Sequence, residues 1–313
     1  MAYNQSAPKK VYMSLTMHIL QSPQWVQFRR RTPSVKKVLG SEGSFVYVHR
    51  IPHSPLTVAY MPRPVSFGNI EGVKAACKKE RAVFLKIEPA LENSGLGVGN
   101  SEYRPGDPVL PRHTIYVNLS RPEGELLEAM HEKTRYNIRL AQKKKIRITE
   151  GENLEGFVEL LGKTETRQGF YSHPPGYYKT LWETLRPFEM VYLLSAHPPD
   201  APDAFAAAVM LLRYRDFLYY AYGGSDPKYR EFMAPHLLHW EAIKLGKRLG
   251  CKTYDLWGSY RNSPDESDPW WGIYRFKSGF GGQEVTFPLA ADIPLSPLYS
   301  LYPLLDRLRG LTR

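Results

Sequence analysis

The chain has 313 residues with 42% hydrophobic and 13% aromatic content, enough for globular folding and long enough to favour two domains over one. Lys plus Arg number 42 against 31 for Asp plus Glu, a formal net charge of +11 that suits a polyanionic partner such as nucleic acid, a phosphorylated substrate or an anionic membrane surface. The two cysteines, Cys77 and Cys251, lie far apart without metal-ligand spacing, which argues against a disulfide framework or a structural zinc site.

The N-terminus M-A-Y-N-Q-S-A-P-K-K lacks the apolar core of a signal peptide, and no run approaches a membrane span, so a soluble, cytoplasmic protein is expected. In chain order, S-F-V-Y-V-H-R (44–50) and A-V-F-L-K-I-E (82–88) read as strands, with a helix over 68–80 between them. H-T-I-Y-V-N-L (113–119) is a further strand. S-R-P-E then offers Ser120 as a helix cap, with Glu123 at capping-box spacing, and one helix is expected over about 122 to 145. Leu126, Leu127 and Met130 mark its apolar side. Its second half is strongly basic, and Arg135, Arg139 and Lys143 repeat at i, i+4 on one face.

A second α/β segment follows. Residues 156–164 and 177–185 read as helices and 189–196 as a buried strand. Residues 204–214 and 217–224 form a hairpin about Arg215-Asp216. Pro235–Leu249 reads as a helix stopped by Gly250, and K-T-Y-D-L-W-G (252–258) as a returning strand. The two halves have similar element order, which suggests a duplication without a direct sequence repeat. The amphipathic basic tail, 297–311, is expected to form a helix packing back on the first domain, with contact to a membrane surface as the alternative.

There is no P-loop, no G-x-S-x-G elbow, no H-E-x-x-H, and no G-x-G-x-x-G after an expected strand. The nine histidines do not cluster at ligand spacing, so neither a metal nor a cofactor is expected. What remains is a site of Tyr, Trp, Lys and Arg, suited to positioning substrates and stabilising charge. Lys277 stands out in G-I-Y-R-F-K-S-G-F-G-G (272–282), set among aromatics and running into glycine. Fixing a lysine there is costly unless something anionic meets it.

M-H-E-K-T-R-Y-N-I-R-L-A-Q-K-K-K (130–145), Y-A-Y-G-G-S-D (220–226), A-P-H-L-L-H-W-E-A-I-K (234–244), Y-D-L-W-G (254–258) and G-I-Y-R-F-K-S-G-F-G-G occur in that order. With the opening I-L-Q-S-P-Q-W-V-Q-F-R-R (19–30), whose Q-S-x-x-W-x-x-F pattern fits, they resemble the FemABX family of aminoacyl-tRNA-dependent peptidyltransferases. The resemblance implies an α/β (α+β) fold of two tandem GNAT-like domains, each a mixed sheet flanked by helices. No heptad run is present to build the coiled-coil arm of some members. The division expected is 1–147, completed by 296–313, and 148–295.

The implied activity is transfer of an amino acid from aminoacyl-tRNA to the stem-peptide amine of a peptidoglycan precursor, by a monomer with peripheral membrane contact left open. Lys277 matches the family's lysine in its F-K motif. Held by Phe276 and Tyr274 and oriented by Asp255, it would offset charge forming on the carbonyl or the leaving ribose oxygen. The alternative is a strand lysine paired with a carboxylate. Arg230, or its neighbour Lys228, matches the arginine that binds the acceptor's phosphates in the cleft between the halves. Arg29 or Arg30, after Trp25, stands where the family has a lysine, a departure that leaves this assignment open. Tyr222 and Tyr254 line either a peptide channel or the core. Arg135, Arg139 and Lys143 contact the tRNA or brace the two domains. Two further readings remain: an acyl-CoA-dependent N-acyltransferase of the same fold, for which the R/Q-x-x-G-x-G/A turn is missing, and a non-catalytic RNA-binding protein.

Overall fold

The computed structural model describes residues 17–91, 102–168 and 173–302. Contacts divide the described residues into two compact units, one of residues 17–112 together with 287–302, the other His113–Thr286.

The first unit opens on helix α1 (Pro23–Arg30), where the Ser22 hydroxyl accepts from the Trp25 N–H and Pro23 occupies a first turn that needs no donor. Trp25, Val26 and Phe28 bury its inner face. Strands β1 (Val35–Leu39), β2 (Val46–Arg50) and β3 (Thr57–Pro62) form an antiparallel meander. Helix α2 (Ile70–Lys79) crosses over, and β4 (Ala82–Glu88) returns parallel to β3. β5 (Arg104–Pro105) and the last strand, β13 (Ala291–Pro294), complete a six-stranded sheet ordered β1-β2-β3-β4-β13-β5. The chain therefore returns to its first sheet through β13 itself. Tyr299 and Tyr302 then pack edge-on against Phe84, at 5.4 and 4.8 Å between ring centroids. The rest of the expected C-terminal helix, from 303, lies outside the described residues.

The second unit carries a seven-stranded sheet ordered β12-β6-β11-β10-β9-β8-β7. Its strands are β6 (His113–Asn118), β7 (Arg147–Glu150), β8 (Val191–His197), β9 (Ala207–Tyr214), β10 (Phe217–Ser225), β11 (Thr253–Asp255) and β12 (Gln283–Thr286). Its helices are α3 (Glu123–Ala129), α4 (Glu132–Lys143), α5 (Leu154–Gln168), α6 (Pro175–Leu185), α7 (Ala234–Arg248) and α8 (Trp271–Ser278). Among the described residues no helix exceeds the 15 residues of α5 and α7, so none builds a coiled-coil arm. β6 lies between β11 and β12, antiparallel to both. Residues 113–147, which the sequence division placed in the first domain, thus pack with the second unit. The pairing that decides this joins residues more than a hundred positions apart and leaves no local mark.

The single helix expected over 122–145 is two helices. Met130 and His131 are extended, with ψ of 151° and 142°. The His131 N–H donates to the Gly279 carbonyl at 2.9 Å, a tertiary bond that takes the donor a continuous helix would have used. Pro122, with no side-chain cap, precedes α3, so Ser120 and Glu123 make no capping box there. The guanidinium of Arg135 instead donates to the carbonyls of Glu128 (3.1 Å) and Met130, closing the C-terminal end of α3 with a cation.

Gly281 sits against this break at φ +73°, and a Cβ there would collide with the Ala129 carbonyl. Gly281→Ala should therefore cost about 2 kcal/mol of stability. Gly272→Ala in α8, where a Cβ meets nothing within 4 Å, should leave stability unchanged or slightly raised. Thermal unfolding of the two variants, with equal melting points as the contradicting result, checks this.

Candidate functional site

The site grows from a place where two parallel strands part. β10 pairs with β11 only at Phe217–Thr253, Leu218–Tyr254 and Tyr219–Asp255, then continues along β9 as far as Ser225. A bulge at Ala221 puts Tyr220 opposite Leu211 and Tyr222 opposite Met210. The extra residue changes the alternation of side chains along the strand. Tyr220 meets His239 of α7 edge-on at 4.5 Å, while Tyr222 meets Tyr178 of α6 at 5.1 Å and shares a 3.0 Å hydroxyl contact with Tyr177.

β11 ends at Asp255 because the backbone turns away, with Trp257 at φ +50° and Gly258 at φ +97°. Asp255 and Thr114 hold that turn. The Asp255 carboxylate accepts from the Thr114 hydroxyl (2.6 Å) and the Trp257 N–H (2.8 Å), and the Gly258 N–H donates back to the Thr114 oxygen (3.1 Å). A left-handed Trp is strained, and the clamp is what sustains it. The turn leaves the carbonyls of Leu256 and Gly258 converging on one position.

Lys277 fills that position. It comes from the last turn of α8, is 7% exposed, and its Nζ donates to the carbonyls of Leu256 (2.6 Å) and Gly258 (2.9 Å), with Trp257 more distant at 3.4 Å. The ring of Tyr220 lies 4.9 Å below the nitrogen. Burial drives the Lys277 pKa down to about 7, against the opposing pull of the Asp255 charge. His239 stays neutral beside it: burial first, then the Lys277 charge, lower its pKa to about 3, and its Nδ1 is 2.8 Å from the Tyr254 hydroxyl. Two short bonds and one long one leave a third proton loosely held. A lysine near neutrality in that state can move a proton in either direction at physiological pH.

The loop leading into α8 is organised by Asp268, 4% exposed, whose carboxylate accepts from the N–H groups of Arg261 (3.0 Å), Asn262 (2.6 Å), Ser263 (3.2 Å) and Trp270 (2.8 Å). Arg261 in turn stacks over Trp270 at 4.8 Å.

Several expected site residues take other places. Lys277 is on a helix, and its aromatic support is Tyr220. Phe276 packs against His236, His239 and Phe280, and the Tyr274 hydroxyl donates to Glu284 at 2.5 Å. Asp255 acts on Lys277 through its charge and through the turn it clamps. Tyr254 is fully buried and belongs to the core; Tyr222 is half-buried beside α6. Lys228 and Arg230 are exposed in the turn before α7, with Lys228 over the Tyr229 ring at 5.1 Å. In the first unit Trp25 is buried against Phe28, Arg29 lies beside the Phe28 and Tyr47 rings, and Arg30 is exposed. Arg139 and Lys143 are exposed on α4, whereas Arg135 is occupied with the carbonyls of α3. Sequence reasoning missed Tyr220, Thr114 and His239. The Y-A-Y-G-G motif contains the first of these, but only the bulge distinguishes Tyr220 from Tyr222.

The lysine makes stability depend on pH with a definite sign. Its folded pKa, about 7, lies below the unfolded value near 10.5. Between these values the unfolded chain binds the extra proton, so this lysine's contribution to stability rises with pH by at most about 1.4 kcal/mol per unit, and that contribution is flat below 7. Urea unfolding between pH 6.5 and 9.5 should show this rise in the wild type and not in Lys277→Met. Parallel curves for the two proteins would contradict it.

Comparison with known proteins fits this architecture. The profile of the FemAB family matches residues 91–200 and 197–307. A lipid II:glycine glycyltransferase of Staphylococcus haemolyticus is 23% identical, with 84% of each chain covered. The crystal structure of FemX superposes with a TM-score of 0.77 at 19% identity, covering 91% of this chain and 94% of that one. A tandem GNAT protein from the clavulanic acid biosynthesis pathway superposes at 0.52 and 10% identity, covering 81% and 79%. The chain belongs to the FemAB family and has a tandem GNAT-like α/β fold, with no coiled-coil arm among the described residues.

Proposed function

We propose that the protein is an aminoacyltransferase that moves glycine from glycyl-tRNA to the stem-peptide amine of a lipid-linked peptidoglycan precursor. The observation that carries this reading is Lys277: a buried amine of near-neutral pKa, held by backbone carbonyls at a strand split, with one N–H weakly engaged. The family and the name borne by the Staphylococcus relatives supply the substrate class.

The chemistry needs no prior activation, because the aminoacyl ester is already reactive. The acceptor nitrogen attacks the ester carbon, forming the C–N bond. The C–O bond to the ribose then breaks. Lys277 in its charged form stabilises the developing oxyanion, gives its proton to the leaving ribose oxygen, and regains one from the attacking nitrogen. Phe276 and Tyr274 buttress α8, while Asp255 shapes the lysine's cradle. Arg230 and Lys228 are assigned to the acceptor's phosphates; Tyr222 is assigned to its peptide. Arg139 and Lys143 are assigned to the RNA. A lipid-linked acceptor would bring the protein to a membrane surface, and among the described residues no helix is long and apolar enough to cross one.

The purified protein should transfer labelled glycine from glycyl-tRNA to lipid II. Lys277→Met should lower kcat/KM by about 100- to 1,000-fold, the usual loss when one oxyanion donor is removed. Absence of transfer from any charged tRNA, or transfer from acyl-CoA instead, would refute the reading. Because the charged lysine is the working form and the acceptor amine attacks in its neutral form, kcat/KM expressed per neutral acceptor should fall about tenfold per pH unit above about 7. A rate per neutral acceptor that rises through pH 7 to a plateau would show that the neutral form of Lys277 is the active species.

A further inference from the structure

We propose that the solvent face of α4 receives an unpaired stretch of the donor RNA, with Tyr136 as the stacking platform and Lys133, Arg139 and Lys143 as phosphate contacts. The inference rests on the RNA-borne donor proposed above and names the residues that would hold it.

Tyr136 is 61% exposed, one of few large hydrophobic side chains so open among the described residues. At 100° per residue, Lys133 and Arg139 lie one turn to either side of it and Lys143 two turns on, so the ring sits at the centre of a cationic stripe. All four residues are exposed. Among the described residues no carboxylate pairs with Lys133, Arg139 or Lys143, and Glu132 is the one acidic residue in the helix. The neighbouring cations are already engaged: Lys144 meets Glu231 and the Phe232 ring, and Arg135 closes α3. Unpaired cations around an open aromatic ring are what binds single-stranded nucleic acid, where a base stacks on the ring and lysines follow the backbone.

The opposite face of α4 buries Thr134, Asn137, Ile138 and Ala141. The helix thus keeps its aliphatic groups in the core, whereas a membrane-surface helix would turn them outward. RNA is therefore the occupant that the exposed chemistry favours.

α4 is also tied to the lysine helix. The His131 N–H bonds the carbonyl of Gly279, two residues after Lys277. The Asn137 amide lies 3.1 Å from His236 Nε2, and His236 packs edge-on to Phe276 at 5.1 Å between centroids. A nucleotide stacked on Tyr136 would thereby be held on a helix bonded and packed to the one that carries the reacting amine.

The test uses the full chain and two RNA stem–loops, one ending in a few unpaired 3′ nucleotides and one blunt, with fluorescence anisotropy at fixed salt. Tyr136→Ala should bind the overhang RNA about tenfold more weakly and the blunt RNA within twofold of wild type, while Tyr136→Trp retains binding. The pair Arg139→Ala/Lys143→Ala should lower the slope of log affinity against log salt by about 1.4. The proposal is overturned if Tyr136→Ala binds the overhang as the wild type does or loses equally on both RNAs. No RNA binding by the wild type, or preference for phosphatidylglycerol vesicles over RNA, also overturns it. The two readings fail separately. If Tyr136 governs RNA binding but no charged tRNA donates glycine, the transferase reading falls and this one stands. If transfer occurs and Tyr136→Ala matches the wild type in RNA binding and in KM for the RNA, only this one falls.

Discussion

A single ammonium held by backbone carbonyls organises the second unit. Parallel strands normally satisfy each other's carbonyls, and a strand that departs leaves them in need of a donor. Here β10 departs after Tyr219, and Lys277 takes up the carbonyls of Leu256 and Gly258. The exchange serves both partners. The carbonyls gain a donor, and a lysine too buried to be hydrated gains acceptors. Burial still prevails far enough to bring the amine close to neutrality.

The elements around this contact exist to hold its geometry. The Asp255–Thr114 clamp keeps Trp257 left-handed and turns the two carbonyls the same way. Asp268 gathers four N–H groups and so fixes the loop that delivers α8. The break between α3 and α4 lets His131 bond the end of α8, and Gly281 allows the chain to pass close to Ala129. Of these devices the Asp255–Thr114 clamp acts on the lysine directly, through the carboxylate's charge and the strained turn that presents the carbonyls, and pre-organisation there has most chemical value.

Much of the fold was legible because it is written locally. Alternation and β-branched content gave β4 at its observed bounds and the β9–β10 hairpin nearly so, and the leucine stripe with Gly250 gave α7. What depends on distant partners was not legible. The His131–Gly279 bond splits a helix that periodicity reads as continuous. The pairing of β6 with β11 and β12 moves residues 113–147 into the second unit. α8 is short and carries Ile273, Tyr274 and Phe276, so nothing in its composition favoured a helix over a strand. For the site, the oddity of a lysine among aromatics singled out Lys277, while its true partners were hidden. They are main-chain carbonyls and a ring, Tyr220, aimed by a bulge. Arg135 matched its basic neighbours in spacing, yet the turn after Ala129 gave it another task.

The near-neutral lysine is the claim on which the account stands, and it can be observed without substrate. With ¹³C label at the lysine ε carbon, the NMR resonance of Lys277, assigned by its loss in Lys277→Met, should titrate with a midpoint near 7. If that resonance titrates instead with the surface lysines, above pH 10, the amine is not desolvated as described and the account fails.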